Sequence, residues 1–120
     1  MMLQFIPVGE FSKFTKAETL SVGDVVALNS SGQVLKADSS DQNKMPAIGF
    51  VKTVRTNYCI VQLSYIVDKS GLTPGAPYWV GAAGAVIGTV PGDGNVVQKI
   101  GRAVSSTKLL INIESQTITL

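Results

Sequence analysis

The sequence predicts an all-β fold: a compact β-barrel or sandwich built from two tandem repeats that each contain a β-hairpin, with an N-terminal arm. Three observations support this fold class. The chain aligns with itself at a shift of 52 positions without a gap, short apolar segments alternate with glycine-containing turns, and no stretch shows a convincing helical period. With 120 residues, the chain is long enough to bury a core without a metal or a disulfide bond.

The self-alignment consists mainly of turn glycines and core aliphatic residues. There are 8 identities in the 35 aligned pairs: Leu20/Leu72, Gly23/Gly75, Gly32/Gly84, Val34/Val86, Asp41/Asp93, Asn43/Asn95, Ile48/Ile100 and Gly49/Gly101. Because residues of this kind build a scaffold rather than a catalytic centre, we expect function to reside on surfaces. The alignment divides the chain into residues 1–19, an arm or first strand, residues 20–67, the first repeat, and residues 68–120, the second repeat with the C-terminal strand.

The first 19 residues lie outside the repeat and contain three of the four phenylalanines of the chain, Phe5, Phe11 and Phe14. Two interpretations are open. The segment is either a first strand that covers the core, or an arm that reaches a neighbouring subunit or a host surface. In an arm, the aromatic side chains would provide much of the contact energy.

Each repeat is predicted to begin with a β-hairpin. The strands and loops are residues 24–29, 30–32 and 33–37 in the first repeat and residues 78–80, 81–84 and 85–87 in the second. Gly32 and Gly84 lie at the two loops, where glycine supplies a positive φ. Gly23 and Gly75 are expected to form the turns that precede the hairpins.

A further strand is predicted after each hairpin. A polar loop, at residues 38–44 or 90–94, leads into a strand at the Ile-Gly pair that both repeats share. Each repeat is then expected to end in a β-rich run, at residues 58–67 and 109–113, and the second run alternates apolar and more polar positions as a half-buried strand does.

The two repeats differ in aromatic content and charge. Tyr78 and Trp79 replace Val26 and Ala27 of the first repeat, and residues 70–92 contain no charged side chain. Neighbouring strand residues point to opposite faces, so we expect one ring in the core and the other at its rim; the alternative is an exposed pair that stacks on sugar rings. The first repeat is therefore expected to face solvent and the second a partner.

Residues that enzymes and metal sites use are scarce. The chain has no histidine, so the usual arrangements in which a histidine activates a serine or a cysteine are excluded. Cys59 is the one cysteine and is predicted to be a small buried hydrophobe. Residues 38–43 and 93–95 could offer oxygen ligands to calcium, but they fit Asx turns better because their carboxylates are few. We therefore predict no catalytic residue, no metal and no cofactor; a small hydrolase would need two convergent carboxylates.

The charge pattern limits the classes of partner. The net charge is +2, and the basic residues are spread from Lys13 to Lys108 without a cluster, so we predict neither a nucleic-acid nor a membrane partner. Only 15% of the residues are charged. A surface with so little charge is typical of a protein that makes contacts within a larger assembly.

Two stretches resemble small β modules of tailed-bacteriophage virion proteins. The first contains Leu20-Ser-Val-Gly23 and the second Leu72-Thr-Pro-Gly75, each followed by a hairpin and an Ile-Gly strand. The resemblance covers about residues 17–113 and is to proteins of the capsid decoration (cement) and head-fibre type. The family pattern includes no catalytic residues.

This resemblance implies a virion structural protein that binds the major capsid protein on the outer surface of the capsid and stabilises the phage head. It also implies a homotrimer that is assembled in the host cytoplasm. The residues predicted to contact partners are Phe5, Phe11, Phe14, Tyr78 and Trp79. The alternative is a phage tail or fibre module that binds host-surface carbohydrate through Tyr78 or Trp79.

Overall fold

β-Strands form almost all of the regular structure in the computed structural model, which describes residues 10–114 and 117–119. The strands are β1 (Phe11–Thr15), β2 (Val25–Leu28), β3 (Val34–Lys36), β4 (Ala47–Val54), β5 (Tyr58–Gln62), β6 (Tyr65–Asp68), β7 (Pro77–Val80), β8 (Val86–Ile87), β9 (Val96–Val97), β10 (Lys99–Ser105), β11 (Lys108–Ile111) and β12 (Ile118–Thr119). A short 3-10 helix at Gln42–Lys44 is the only helical segment in this part of the chain.

Two antiparallel five-stranded sheets form most of the structure. The first has the strand order β1-β5-β4-β2-β3 and the second β6-β11-β10-β7-β8, while β9 and β12 pair separately. The sheets pack in a sandwich-like arrangement around a shared core, which confirms the predicted all-β fold class. We call residues 11–62 the first module and residues 65–111 the second module.

Three pairs of strands begin 52 residues apart in the chain: β2 and β7, β3 and β8, and β4 and β10. Both β4 and β10 are irregular at the same two places, one facing β2 or β7 and one facing β5 or β11. Gly49 and Gly101 lie beside the first irregularity. A Cβ atom there would be 2.4 Å from the carbonyl oxygen of Gln62 and 2.3 Å from that of Leu110, so only glycine fits.

Residues 11–15 are an edge strand of the first sheet. β1 pairs with β5 over its whole length, from Phe11 opposite Gln62 to Thr15 opposite Tyr58. Lys16, directly after β1, forms a parallel bridge with Val34 of β3. The two edges of the first sheet therefore approach each other, and the sheet curves towards a barrel.

The predicted run at residues 58–67 is divided between the two sheets. β5 belongs to the first sheet and β6 to the second, although the sequence placed both in the first repeat. Tyr65 has a φ of 76°, and the buried side-chain amide of Gln62 donates hydrogen bonds to the carbonyls of Ser64 and Ile66. These hydrogen bonds hold the corner at which the chain passes from one sheet to the other.

The core consists of two clusters. One lies within the first module and contains Leu20, Val26, Val34, Val51, Cys59 and Val61. The other is shared by both modules and contains Val25, Ala27, Ala37, Ala47, Phe50, Val67, Leu72, Tyr78, Val80, Ile100, Ala103, Leu109 and Ile111. Val25 and Val26 are adjacent and both fully buried, so β2 is covered on both of its faces.

Candidate protein-contact face

The second module docks on the first through the loop of its β7–β8 hairpin. The Val25 N–H donates to the carbonyl of Gly84 at 3.0 Å, and the Gly84 N–H donates to the carbonyl of Ala37 at 2.7 Å. The Ser39 N–H donates to the carbonyl of Gly81 at 2.9 Å. The hairpin loop thus satisfies backbone groups of β2 and of the segment after β3 that would otherwise be buried without partners.

Gln98 makes a second polar contact between the modules. Its side chain is only 1% exposed. Its Oε1 accepts from the Ala47 N–H at 2.7 Å, and its Nε2 donates to the carbonyls of Ala47 at 3.2 Å and Glu114 at 2.9 Å. A buried amide with all of these partners fixes the position of β4 relative to the segment before β10.

Small and aliphatic side chains of the first sheet, together with one phenylalanine, lie under the docked module. We call them the covered face: Val25, Ala27, Ala37, Ala47 and Phe50. Each is at most 3% exposed. The removal of this apolar surface from water is the main favourable contribution to docking, with the backbone hydrogen bonds fixing the geometry.

The second sheet presents a face of its own that the described residues leave open. We call it the outer face: Ile66, Pro77, Trp79, Ile87, Arg102 and Leu110. Leu110 lies opposite both Ile66 and Arg102, Arg102 lies opposite Pro77, and Trp79 lies opposite Ile87. Residues directly opposite each other in antiparallel strands point to the same side, so these side chains form one surface.

The six residues of the outer face are apolar apart from Arg102, and charged side chains border them: Lys99 lies opposite Trp79, and the ion pair Lys108–Asp68 lies beside Leu110 and Ile66. Leu110 is 40% exposed, Arg102 is exposed, and the other four side chains are half-buried. The Arg102 Nη1 donates to the carbonyl of Gly75, which holds the guanidinium at the edge of the face. An open sheet surface of this composition has the character of a protein contact site.

The structure places only one of the five predicted contact residues, Trp79, on this face. Tyr78 is 7% exposed, and its hydroxyl accepts a hydrogen bond from the Thr73 N–H at 2.7 Å. This corrects the prediction that Tyr78 contacts a partner: on one strand its ring must point away from that of Trp79, and it fills the shared core.

The phenylalanines are dispersed. Phe11 lies on the edge strand of the first sheet and is 45% exposed. Phe14 is half-buried and packs against the core of the first module, so it contributes to the fold. Phe5 lies outside the described residues. The four predicted turn glycines have positive φ: 94° at Gly23, 76° at Gly32, 84° at Gly75 and 82° at Gly84.

Asp38 is a charged group that contacts the docked hairpin loop. Burial raises the pKa of its carboxyl, but the hydrogen bonds from the hydroxyl and N–H of Ser40 and from the backbone of Ala83 lower it more, with a smaller contribution from Lys44. The net pKa lies below the usual value. Asp38 therefore carries its charge at neutral pH and accepts hydrogen bonds from both modules.

Five outer-face residues were missed from the sequence: Ile66, Pro77, Ile87, Arg102 and Leu110. For Arg102 the self-alignment contains a signal, because Arg102 aligns with Phe50 of the first repeat, which is buried. A guanidinium in place of a core phenylalanine indicates that the second repeat leaves this position uncovered. Leu110 and Ile66 give no such signal, because exposed and buried leucines look alike in a sequence.

Reactive and metal-binding groups are sparse. Within residues 10–114 and 117–119, no three cysteine, aspartate or glutamate side chains come together as a metal site would require. Cys59 is buried, and burial raises the pKa of its thiol, which keeps it protonated and unreactive. None of the helical segments in the same ranges has the length and apolarity to cross a membrane.

No known protein family, curated protein or solved structure matches this chain. Function is therefore inferred from the outer face and from the residues around it.

Proposed function

We propose that the protein is a non-enzymatic structural protein of a bacteriophage virion. It decorates the outer surface of the capsid, and the outer face of the second module binds the major capsid protein. The observation that supports this proposal is the contrast between the two sheets: the face of the first is buried against the second module, whereas residues 10–114 and 117–119 leave the outer face open.

The composition of the outer face favours a protein as the partner. It offers the tryptophan and arginine that dominate the energy of protein interfaces, together with aliphatic side chains that gain from the removal of water. An open β-sheet surface also suits a capsid shell, since it can lie against another protein surface without a cleft. A cement function requires such contacts and no chemistry.

Self-assembly forms a second part of the proposal. A homotrimer would place three outer faces on neighbouring capsid subunits at a symmetry axis of the shell, so that each trimer clamps several subunits. Phe11, exposed on the edge strand β1, is suited to the contact between subunits of the trimer. Phe5 would extend that contact if residues 1–9 reach the neighbouring subunit.

The proposal is tested by mixing the purified protein with undecorated capsids and imaging them by electron cryomicroscopy. We expect ordered density at the symmetry axes of the capsid. Trp79→Ala and Leu110→Ser should each lower occupancy at least about tenfold, because interface residues of this kind contribute on the order of 2 kcal/mol. Val22→Ser is the matched control, since Val22 is 67% exposed on the first module and should leave occupancy unchanged.

Three results would count against the capsid assignment. Bare capsids, or equal occupancy for Trp79→Ala and wild type, would reject the outer face as the capsid contact. Density confined to tails would favour the alternative of a carbohydrate-binding tail or fibre module. That alternative is less supported, because Tyr78 is buried and surface depressions of about 490 and 200 Å³ contain no aromatic side chain among their lining residues.

A further inference from the structure

We infer that Pro77 and Pro91 limit the assembly to two modules in tandem. They prevent a second copy of this chain from docking on the second module in the way that the second module docks on the first. The inference does not depend on the proposed capsid role, because it follows from a comparison of the covered face with the positions 52 residues later.

The backbone of the first module provides two N–H donors to the docked hairpin loop, those of Val25 and Ser39. The corresponding positions of the second module, 52 residues later, are Pro77, which is half-buried, and Pro91, which is buried. Proline has no N–H, so neither position can form the equivalent hydrogen bond. An incoming hairpin would bury two carbonyls without partners, at a cost that opposes docking.

The side chains at the corresponding positions of the second module also oppose docking. Val25, Ala27, Ala37, Ala47 and Phe50 of the covered face correspond to Pro77, Trp79, Thr89, Lys99 and Arg102. All five first-module residues are buried, whereas all five second-module residues are exposed or half-buried. Two of the replacements are cations and one is a large ring, so the surface no longer fits the loop that the first module accepts.

The hairpin that a second copy would offer also differs. In the docked loop, Ala83 and Gly84 both have positive φ, and the Ala85 N–H donates to the carbonyl of Ala82 at 3.0 Å. In the β2–β3 hairpin, the side chain of Asn29 instead accepts hydrogen bonds from the N–H groups of Ser31 and Gln33. The side chain of Asn29 thus already occupies the N–H groups of the β2–β3 loop. Pro77 and Pro91 remove the two N–H donors that would bind this loop in a second copy of the chain.

This arrangement explains how a chain with a repeated docking unit avoids open-ended polymerisation. A head-to-tail contact between identical units does not close by itself and leads to filaments. Because of Pro77 and Pro91, the hairpin loop of another copy of the chain cannot dock on the outer face. It stays free for a different protein.

The experiment restores the first-module residues at four positions of the full-length protein: Pro77→Val, Pro91→Ser, Lys99→Ala and Arg102→Phe. Sedimentation velocity over a hundredfold concentration range measures association beyond the wild-type state. The matched control carries only Lys99→Ala and Arg102→Phe and keeps both prolines. We expect the fourfold variant to associate at least about tenfold more tightly than the control, since two backbone hydrogen bonds are regained.

The inference is overturned if the fourfold variant and the control associate with equal affinity. It is also overturned if the fourfold variant is folded, as judged by circular dichroism, and associates no more than wild type. If the fourfold variant does not fold, Pro77→Val alone in the control background is used. One regained donor should then give a smaller but measurable increase over the control. The absence of that increase in a folded protein would likewise reject the role of the prolines.

Discussion

Gln98 is the buried side chain on which the junction between the modules depends most. Replacement by leucine keeps its size but leaves the N–H and carbonyl of Ala47 and the carbonyl of Glu114 without their partner. We expect Gln98→Leu to lower the free energy of unfolding by about 3 kcal/mol, measured by urea denaturation. Gln42→Leu, on the exposed 3-10 helix, should change it by less than about 0.5 kcal/mol. A Gln98→Leu protein as stable as wild type would show that water replaces the amide.

Gly101 permits β10 to approach the β11 backbone more closely than any other residue would. A methyl group there would lie 2.3 Å from the Leu110 carbonyl oxygen, and backbone cannot move aside as a flexible side chain can. Gly101→Ala is therefore expected to destabilise the protein by about 2 kcal/mol or more in the same denaturation assay. Gly92 has no atom within 4 Å of the added Cβ and is the control: Gly92→Ala should be nearly neutral. A Gly101→Ala protein as stable as Gly92→Ala would show that the β11 backbone shifts to make room for the methyl group.

At the scale of elements, the carboxylate of Asp38 in the first module accepts a hydrogen bond from the backbone of Ala83 in the β7–β8 hairpin. The pKa of Asp38 is lower in the folded protein than its ordinary value of 3.8, so its stabilisation is present above that pH and is lost as the pH falls through the folded pKa. We expect Asp38→Asn to be less stable than wild type at pH 7, and the difference to narrow towards about pH 3.

Urea denaturation at a series of pH values measures that difference. Asp68→Asn serves as a comparison, because the pKa of Asp68 is lowered by Lys108 on the surface of the second module, away from the hairpin loop. Hydrogen exchange at residues 81–84 should therefore accelerate in Asp38→Asn and not in Asp68→Asn. A stability difference for Asp38→Asn that stays constant with pH would mean that its charge does not contribute.

The sequence predicts the elements well where the signal is local. Each hairpin follows from a glycine at its loop and apolar residues on either side. The strands at 25–28, 34–36 and 86–87 lie within the predicted segments, and the strand at 77–80 begins one residue before the predicted 78–80. The division of the run at 58–67 was not predictable, because it depends on hydrogen bonds that the buried Gln62 makes only in the folded protein. Local propensity alone favours one strand over residues 58–67, whereas the hydrogen bonds of Gln62 divide it into β5 and β6.

At the scale of the whole molecule, the self-alignment predicts two repeats but gives no prediction of how the two sheets associate. The docked module covers one face of β2 and the core of the first module covers the other, and adjacent valines at 25 and 26 do not reveal which neighbour covers which face. For the same reason the candidate site was only partly predicted. Trp79 is conspicuous by residue type, whereas its neighbours on the outer face become visible only once the strand register is known.

The position of the single thiol makes the two modules experimentally distinguishable. Cys59 is fully buried in the cluster that belongs to the first module alone, and the shared core between the modules contains no cysteine. A thiol-specific reagent can therefore react only when the first module opens, while separation of the modules by itself leaves Cys59 protected. The rate at which Cys59 is modified in the native protein therefore reports opening of the first module and not separation of the two modules. The two events can be distinguished without an engineered label.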